Sequence, residues 1–397
     1  MDVVIVGAGP AGAWAAYRLA RDGARVTIVD GSHPREKPCG GGVTGRALAI
    51  VGDAIGAAPL PARVVRSARF TNARAGSSAV VPLTALGVGR ASDLVVASRA
   101  DFDRRLLAAA RDAGATLVEA RVRDLTIADD GIVAETTRGA IRGAFVIGAD
   151  GANSLVRRRV GPPFRLDQLS IATGYFAHGA TSDEIVIELV ADPPGYIWSF
   201  PRPTHLAIGI CAGAASGITA AALRDRASRW IEASRIAIGA RLEPYSWPIP
   251  SLSADDFGTL TLAGPRWLLV GDAAGLVDPI TREGIFFALR SGELAAGALR
   301  SADPDHAYAA AVRDDLVPEL ARAAGLQRRF FDPRFTHLMM DALLESAAIR
   351  RVMADLVAGR QSYKGLRWRL ARTREIGLAW RWLVVQLSLA GHTVLTE

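Results

Sequence analysis

The chain opens on a short apolar run, Val3 to Val6, that reads as a buried strand. The run stops at Gly7-Ala8-Gly9-Pro10-Ala11-Gly12, and apolar residues at helical spacing (Trp14, Tyr17, Leu19, Ala20) follow at once. A second apolar run, Val26 to Val29, closes on Asp30, eighteen residues after Gly12. Strand, glycine turn, helix and strand predict a βαβ unit. The next stretch, 31–45, is too rich in glycine and proline for regular structure and predicts a loop. Residues 63–97 predict strands around a turn-rich middle (Thr71 to Ser78). A helix with acids in its first turn then starts at Asp101. Leu117 to Val122 and Ile132 to Thr137 predict strands, with Asp129-Asp130-Gly131 as a hairpin turn. Ala144 to Gly148 predicts another buried strand, ending in Ala149-Asp150-Gly151 before a helix over Leu155 to Val160.

From Leu169 to Ile210 the pattern shifts to successive strands. Glu184 to Leu189 predicts a half-exposed antiparallel strand. Tyr196, Trp198 and Phe200, spaced by two, share one face of a strand and form either sheet core or the wall of an apolar pocket. A helix is predicted over 218–236, after which Pro244 to Pro250 lead out of the region. Trp267 to Val270 is a further buried strand ending at Gly271-Asp272, and a long helix runs from Phe286 to about Arg300. Residues 301–397 are helical by pattern, with breaks at Pro304, Pro318, Pro333 and Gly359, and no internal repeat is visible.

The glycine turn carries chemistry. Gly7 makes the tight turn, Gly9 lets a pyrophosphate approach the backbone, and Gly12 lets helix and strand pack closely. Asp30 is placed to accept hydrogen bonds from a ribose. Within strand–turn–helix–strand–acid context this predicts dinucleotide binding. The loop Lys37-Pro38-Cys39-Gly40-Gly41-Gly42 can press its backbone against a flat ligand, and Asp150-Gly151 before a helix suits a phosphate or ribityl neighbourhood. Asp272 can bind a hydroxyl, while the amides of Gly284 and Ile285 can stabilise negative charge at a helix N-terminus.

At 397 residues, half of them hydrophobic, the chain has room for two domains and a sizeable core. Two cysteines, Cys39 and Cys211, make no disulfide framework, and no Cys/His cluster suggests a metal. A core strand at the very N-terminus leaves no space for a signal peptide, so a cytoplasmic protein is expected. No apolar stretch is long enough to span a membrane. Of the net charge of +7, residues 350–397 supply +6, from nine basic residues against three acids. That tail interleaves Trp368 and Leu370 with Arg367, Arg369, Arg372 and Arg374, and 376–390 is mostly apolar. It suits an anionic membrane surface at the inner face, with peripheral attachment, or an anionic substrate head group. A terminal helix pair with a solvated arginine face is the alternative. Nucleic acid is not expected, since no binding motif accompanies the charge.

GxGxxG at residue 7, Asp150-Gly151 in mid-chain and Gly271-Asp272 late in the chain resemble the FAD-dependent oxidoreductases of the aromatic-hydroxylase fold. KPCGGG at 37–42 and PxxYxWxFP at 193–201 resemble the geranylgeranyl reductase family within that group. The resemblance covers roughly 1–300. It implies an α/β fold with a Rossmann-like FAD-binding domain (1–65, 95–165, 255–300). A discontinuous antiparallel-sheet substrate domain (66–94, 166–254) and a C-terminal helical region (301–397) complete it. FAD would be held non-covalently. Contacts to it are implied for Gly7, Gly9, Pro10, Ala11, Gly12, Asp30, Cys39, Gly40, Gly42, Arg99, Val122, Asp150, Asp272, Gly284 and Ile285. One position departs: a small residue usually follows the threonine of PxTxEGI, where this chain has Arg282.

The function implied is a reductase that saturates C=C bonds of an isoprenoid chain, with hydride from reduced flavin and a proton from an acid. Such an alkene is unpolarised and calls for a dry apolar pocket, which Tyr196, Trp198 and Phe200 fit. Cys39 is the candidate acid, with Tyr196 and Trp198 beside it. An ordinary thiol, of pKa about 8.5, carries its proton at neutral pH. A merely packing role for Cys39 is the alternative. Only one dinucleotide unit is legible, so NAD(P)H would visit transiently or reduced ferredoxin would serve as donor. A flavin monooxygenase acting on an apolar or aromatic substrate uses the same fold and is the competing function. A non-enzymatic flavin sensor is a third.

Overall fold

A computed structural model describes residues 1–377 except 53, 56–58, 73–75, 84–93 and 376. The apolar stretch 378–390 and the chain beyond it, Arg381 included, lie outside the described residues. In chain order the elements begin with β1 (Asp2–Val6), α1 (Pro10–Arg21), β2 (Arg25–Val29), β3 (Gly42–Val43) and α2 (Gly45–Val51). Next come β4 (Ala62–Val64), β5 (Ser67–Asn72), β6 (Ser77–Pro82), β7 (Val95–Ala97) and α3 (Arg99–Asp112). The middle comprises β8 (Thr116–Val118), β9 (Val122–Ala128), β10 (Gly131–Thr136), β11 (Gly139–Gly143), β12 (Phe145–Gly148) and α4 (Leu155–Val160). It continues with β13 (Leu169–His178), β14 (Glu184–Ala191), β15 (Pro194–Pro201), β16 (His205–Gly213), α5 (Ala220–Ser234) and β17 (Arg241–Pro250). The last third holds α6 (Ala254–Gly258), β18 (Ala263–Gly264), β19 (Trp267–Leu269), α7 (Ile285–Ala298), α8 (Pro304–Asp315) and α9 (Val317–Phe330). It ends in α10 (Pro333–Glu345), α11 (Ala347–Val357) and α12 (Leu366–Ala371).

The α/β class expected from the sequence is the class observed. A six-stranded sheet runs β18-β19-β12-β1-β2-β8, with β1, β2, β8, β12 and β19 parallel. Its central strand is wholly buried at Val3, Val4 and Ile5, because helices cover both faces of a parallel sheet. α1 and α7 cross closely: a Cβ on Gly292 would sit 2.5 Å from the Ala11 carbonyl oxygen. α8 is pinned to the sheet by the buried Tyr308 hydroxyl, which donates to the Leu269 carbonyl at 2.6 Å. The carboxyl ends of β1, β2, β12 and β19 all open on the same edge, where an open α/β sheet binds its ligand.

A seven-stranded sheet runs β17-β13-β16-β15-β14-β5-β6. One face packs on α5 through Leu223, Ala227 and Ile231. The other presents Ala172, Tyr196, Trp198 and Phe200. α10 and α11 close the far end, where Met339, Leu343 and Ala354 pack on Phe70, Val81 and Ile185.

Three expectations are corrected. Leu117 to Val122 is not one strand. The chain leaves the parallel sheet after Val118 and enters a separate three-stranded sheet, β11-β10-β9, at Val122. Glu184 to Leu189 is antiparallel to β15 but parallel to β5 on its other side. Pro244 to Pro250 does not lead away; it is most of β17, which pairs with β13 over ten residues at the sheet edge. An edge strand needs no outward N–H, so prolines are tolerated there. The helix breaks expected at Pro304, Pro318 and Pro333 are observed: each proline stands in the first turn of a new helix, α8, α9 or α10, where the missing N–H costs nothing.

Candidate active site

The glycine turn is shaped by two close approaches and one gap. Gly7 has φ 105°, and a Cβ there would meet the Ala149 carbonyl oxygen at 2.4 Å. A Cβ on Gly12 would fall 2.0 Å from the Gly7 carbonyl oxygen. These two glycines are demanded by the protein itself. Gly9 is not: a Cβ there would meet nothing closer than the His33 ring at 3.7 Å. α1 also has no side-chain cap and no acid in its first turn, which starts at Pro10 and Ala11. An open cradle of backbone at an uncapped helix N-terminus fits a pyrophosphate.

Asp30 sits beside that turn. Its carboxylate accepts from the amides of Ala8 (2.8 Å), Ser32 (2.6 Å) and His33 (2.9 Å) and faces the His33 ring at 2.8 Å. Burial alone would raise its pKa; the His33 ring and the amides outweigh that and hold it well below the carboxylate range. Val122 is buried four residues past Val118, whose carbonyl accepts from the Asp30 amide at 3.1 Å. The Asp150 carboxylate turns away, onto the N-terminus of α4, accepting from the amides of Leu155 (2.6 Å) and Val156 (3.2 Å). What Asp150 offers the cradle is its backbone, packed against Gly7.

The loop Cys39–Gly42 lies across the end of β15. A Cβ on Gly40 would come within 3.0 Å of the Phe200 ring, and Gly41 has φ 87° with the Ala97 carbonyl oxygen 2.4 Å from where a Cβ would be. Beneath it Arg202, 0 % exposed, donates to the Cys39 carbonyl at 2.5 Å and pairs with Glu36. Glu36 in turn accepts from Ser98 Oγ (2.6 Å) and the Arg99 amide (3.0 Å). The Arg99 guanidinium is held by Asp103 at 2.7 and 2.9 Å, so the cation is fixed at the pocket wall rather than free to reach. Asp272 faces Lys37 Nζ at 2.9 Å; burial raises its carboxyl, but the ammonium outweighs this and the net shift is downward. Gly284 and Ile285 begin α7 with no side-chain cap, and a Cβ on Gly284 would press on Asp272 Oδ1 at 3.3 Å.

A pocket joins these parts. It runs from Pro10, Cys39–Gly42, Asp272, Gly284 and Ile285 past Tyr196, Trp198 and Phe200. It ends among Ile187, Leu189, Met353, Leu356 and Val357. Tyr196 is anchored by its hydroxyl, which donates to the Thr281 carbonyl at 2.9 Å, and stacks near Phe331. Cys39 lines the pocket, its sulfur accepting from the Gly41 amide at 3.3 Å. No group of His, Cys, Asp and Glu among the described residues is arranged to hold a metal. Sequence reading did not find Arg202 or Glu36 as loop holders, nor the α11 residues as a pocket wall. Arg202 directly follows the YxWxFP motif, and a cation in so apolar a stretch was the available signal.

A family model described as an FAD binding domain matches residues 1–205. A menaquinone reductase of Mycolicibacterium smegmatis is 32 % identical over 380 residues, covering 90 % of this chain and 92 % of that protein. A digeranylgeranylglycerophospholipid reductase of Methanothrix thermoacetophila is 31 % identical over 363 residues, covering 83 % and 87 %. Among solved structures, a geranylgeranyl bacteriochlorophyll reductase-like protein of Thermoplasma acidophilum shares the fold. Its TM-score is 0.77 at 22 % identity, over 94 % of this chain and 98 % of that one.

Two outcomes follow from the geometry. Gly12→Ala should destabilise the flavin-free protein by about 3 kcal/mol through overpacking. Gly9→Ala should leave that stability nearly unchanged but release FAD. Thermal unfolding without flavin, together with flavin retained on gel filtration, separates the two. Asp30 is held below its unfolded value, so its stabilisation is complete above about pH 4 and is lost as the pH falls. Asp30→Asn should therefore cost about 2 kcal/mol near neutrality, with the gap to wild type closing on acidification. Urea unfolding across that range reads it.

Proposed function

Since this chain belongs to the geranylgeranyl reductase family of FAD-dependent oxidoreductases, we propose that it saturates C=C bonds in the isoprenoid chain of a lipid. The names of the two relatives share one chemical element, a polyisoprenyl chain, carried on a quinone in one and a glycerophospholipid in the other. The observation that carries the reading is the pocket itself. Its cofactor end is polar, built of glycine backbone, Lys37 and Asp272, whereas its far end is apolar on every side, from β14 to α11. An apolar chain lies comfortably there and water does not.

FAD, once reduced, supplies a hydride to one alkene carbon. The protein's part is the rest. Gly7, Gly9, Pro10, Ala11, Gly12, Asp30, Val122 and the Asp150 backbone hold the adenosine and pyrophosphate end. Cys39, Gly40, Gly42, Arg99, Asp272, Gly284 and Ile285 hold the flavin end. Tyr196, Trp198 and Phe200 wall the chain, and the Cys39 thiol gives its proton to the second alkene carbon. Two electrons for each turnover would come from NAD(P)H or a reduced ferredoxin. On this reading 1–65, 95–165 and 255–300 form the FAD-binding domain and 66–94 with 166–254 the substrate domain. Within the C-terminal region (301–397), α10 and α11 close the chain-binding end.

A lipid substrate reaches the protein from a bilayer. No described helix is long and apolar enough to cross one. Trp368 is 77 % exposed on α12, with Arg367, Arg372 and Arg374 exposed around it. α12 packs beside α11, whose Met353, Leu356 and Val357 line the apolar end of the pocket. Peripheral attachment at this face places the pocket's apolar end toward the lipid. Arg369 is not part of it, being tied to Asp355 and Gln361.

Dithionite-reduced enzyme and a polyprenyl substrate, kept free of oxygen, should give a product two hydrogens heavier per bond by mass spectrometry. Cys39→Ser should slow that step at least about tenfold while retaining FAD. A product that forms only with O₂ and gains oxygen mass would make the protein a monooxygenase instead. On flotation, wild type should rise with anionic vesicles in low salt and not in high salt. Replacing Arg367, Arg372 and Arg374 by Gln should abolish this, each cation contributing about 1 kcal/mol.

A further inference from the structure

The pocket wall carries one cation whose circumstances the preceding reading does not use. Arg282 lines the pocket at the turn between Asp278 and α7. Its backbone has φ 60°, the left-handed region that favours glycine. The turn that imposes this is firmly built. Asp278 Oδ1 accepts from the amides of Ile280 (2.7 Å) and Thr281 (3.0 Å), and the Arg282 amide donates to the Asp278 carbonyl at 3.0 Å. A long cationic side chain is thus held at a position where the backbone would prefer no side chain at all, and such outliers point to function.

The partners of the guanidinium are neutral. One terminal nitrogen donates to the hydroxyl of Ser251, which also accepts from Gln327 at 3.3 Å. The Cys211 thiol is within reach as well, and burial keeps that thiol protonated. Nε is shut off from solvent with no acceptor. No carboxylate is hydrogen-bonded to Arg282 among the described residues. The same pocket is lined by the apolar Trp247, Ile249, Tyr196 and Ala172. A cation in an apolar pocket with donors to spare attracts an electron-rich oxygen, and the strength of such a bond grows as water is excluded.

We propose that Arg282, steadied by Ser251 and Gln327, is the head-group subsite of this pocket. It binds an electron-rich oxygen of the substrate, carbonyl or phosphate, while the isoprenoid chain runs toward α11. The proposal rests on the isoprenoid reading above and adds to it the choice of substrate. It makes the enzyme selective for chains that carry such an oxygen, and it fixes which bond lies over the flavin by measuring from that oxygen.

The test uses the FAD-loaded enzyme with three probes: a menaquinone, geranylgeranyl diphosphate, and squalene as a chain without a head group. Arg282→Gly removes the cation while giving the backbone the residue it prefers, so the variant should fold and melt at least as well as wild type. It should bind menaquinone, the diphosphate or both about tenfold to a hundredfold more weakly, with squalene binding unchanged. Arg282→Lys should recover part of the loss. A loss confined to menaquinone identifies a carbonyl as the oxygen read, and one confined to the diphosphate identifies a phosphate. Flavin content and midpoint potential should stay at wild-type values. Unchanged affinity for both oxygen-bearing probes, or equal weakening of squalene, would overturn the subsite. So would a shift in potential without a change in affinity, since the cation would then serve the flavin. If wild type binds none of the three, the isoprenoid reading falls and the subsite with it. If wild type binds them and Arg282→Gly binds them equally, only the subsite falls.

Discussion

A guanidinium taken fully out of water must find every partner inside the protein. Arg202 is in that position, and the way it is satisfied ties the molecule together. It leaves the end of β15 in the seven-stranded sheet. It then donates to the carbonyls of Cys39 and Gly40 and pairs with Glu36, which also holds the start of α3. One buried cation therefore fixes the glycine loop, the start of α3 and the seven-stranded sheet relative to one another. Burial pulls its pKa down to about 10, still far enough above neutrality for the charge to persist. The glycine loop can afford its left-handed turn and its lack of side chains because this clamp, rather than the loop's own packing, holds it still.

With the loop fixed, the two ends of the site can differ in character without interfering. At one end the protein offers amides, glycine backbone and the Lys37–Asp272 pair, a surface suited to phosphates and a ribityl chain. At the other it offers aliphatic and aromatic side chains from one face of the seven-stranded sheet and from α11. The gradient between them suits the proposed reaction on an unpolarised bond, which calls for an anchored source of electrons and a substrate held without water.

Much of this was legible from the chain. The βαβ unit announces itself because glycines, an apolar run and an acid fall within thirty residues, and local punctuation suffices to read it. The row Tyr196, Trp198 and Phe200 was visible as one face of a strand, but the strand alone could not say what that face meets. Other features depend on partners far away in sequence. β17 was hidden by Pro244, Pro248 and Pro250, whose tolerance follows only from its place at a sheet edge. Arg202 and Glu36 meet across 166 residues, and no spacing rule connects them. The amphipathic pattern of α11 says that Met353, Leu356 and Val357 face inward, not that they face a cavity. Arg369 reads from the sequence as one more surface cation, and only the fold brings Asp355 beside it.

The parallel pairing of β5 with β14 has a consequence for synthesis on the ribosome. Ser67 is matched with Glu184, so the hairpin of β5 and β6 emerges more than a hundred residues before the strand that completes it. During that interval Phe70 and Val81, both buried in the finished protein, have no sheet to join and no α10 or α11 to cover them. Long-range pairing of this kind is slow, and an unpaired apolar hairpin is prone to association with its neighbours. The nascent chain thus carries a sticky, half-made edge until translation passes residue 184, and later still until the closing helices arrive. Burial of Phe70 and Val81 is thus a late event of synthesis, set by the arrival of β14 and then of α10 and α11.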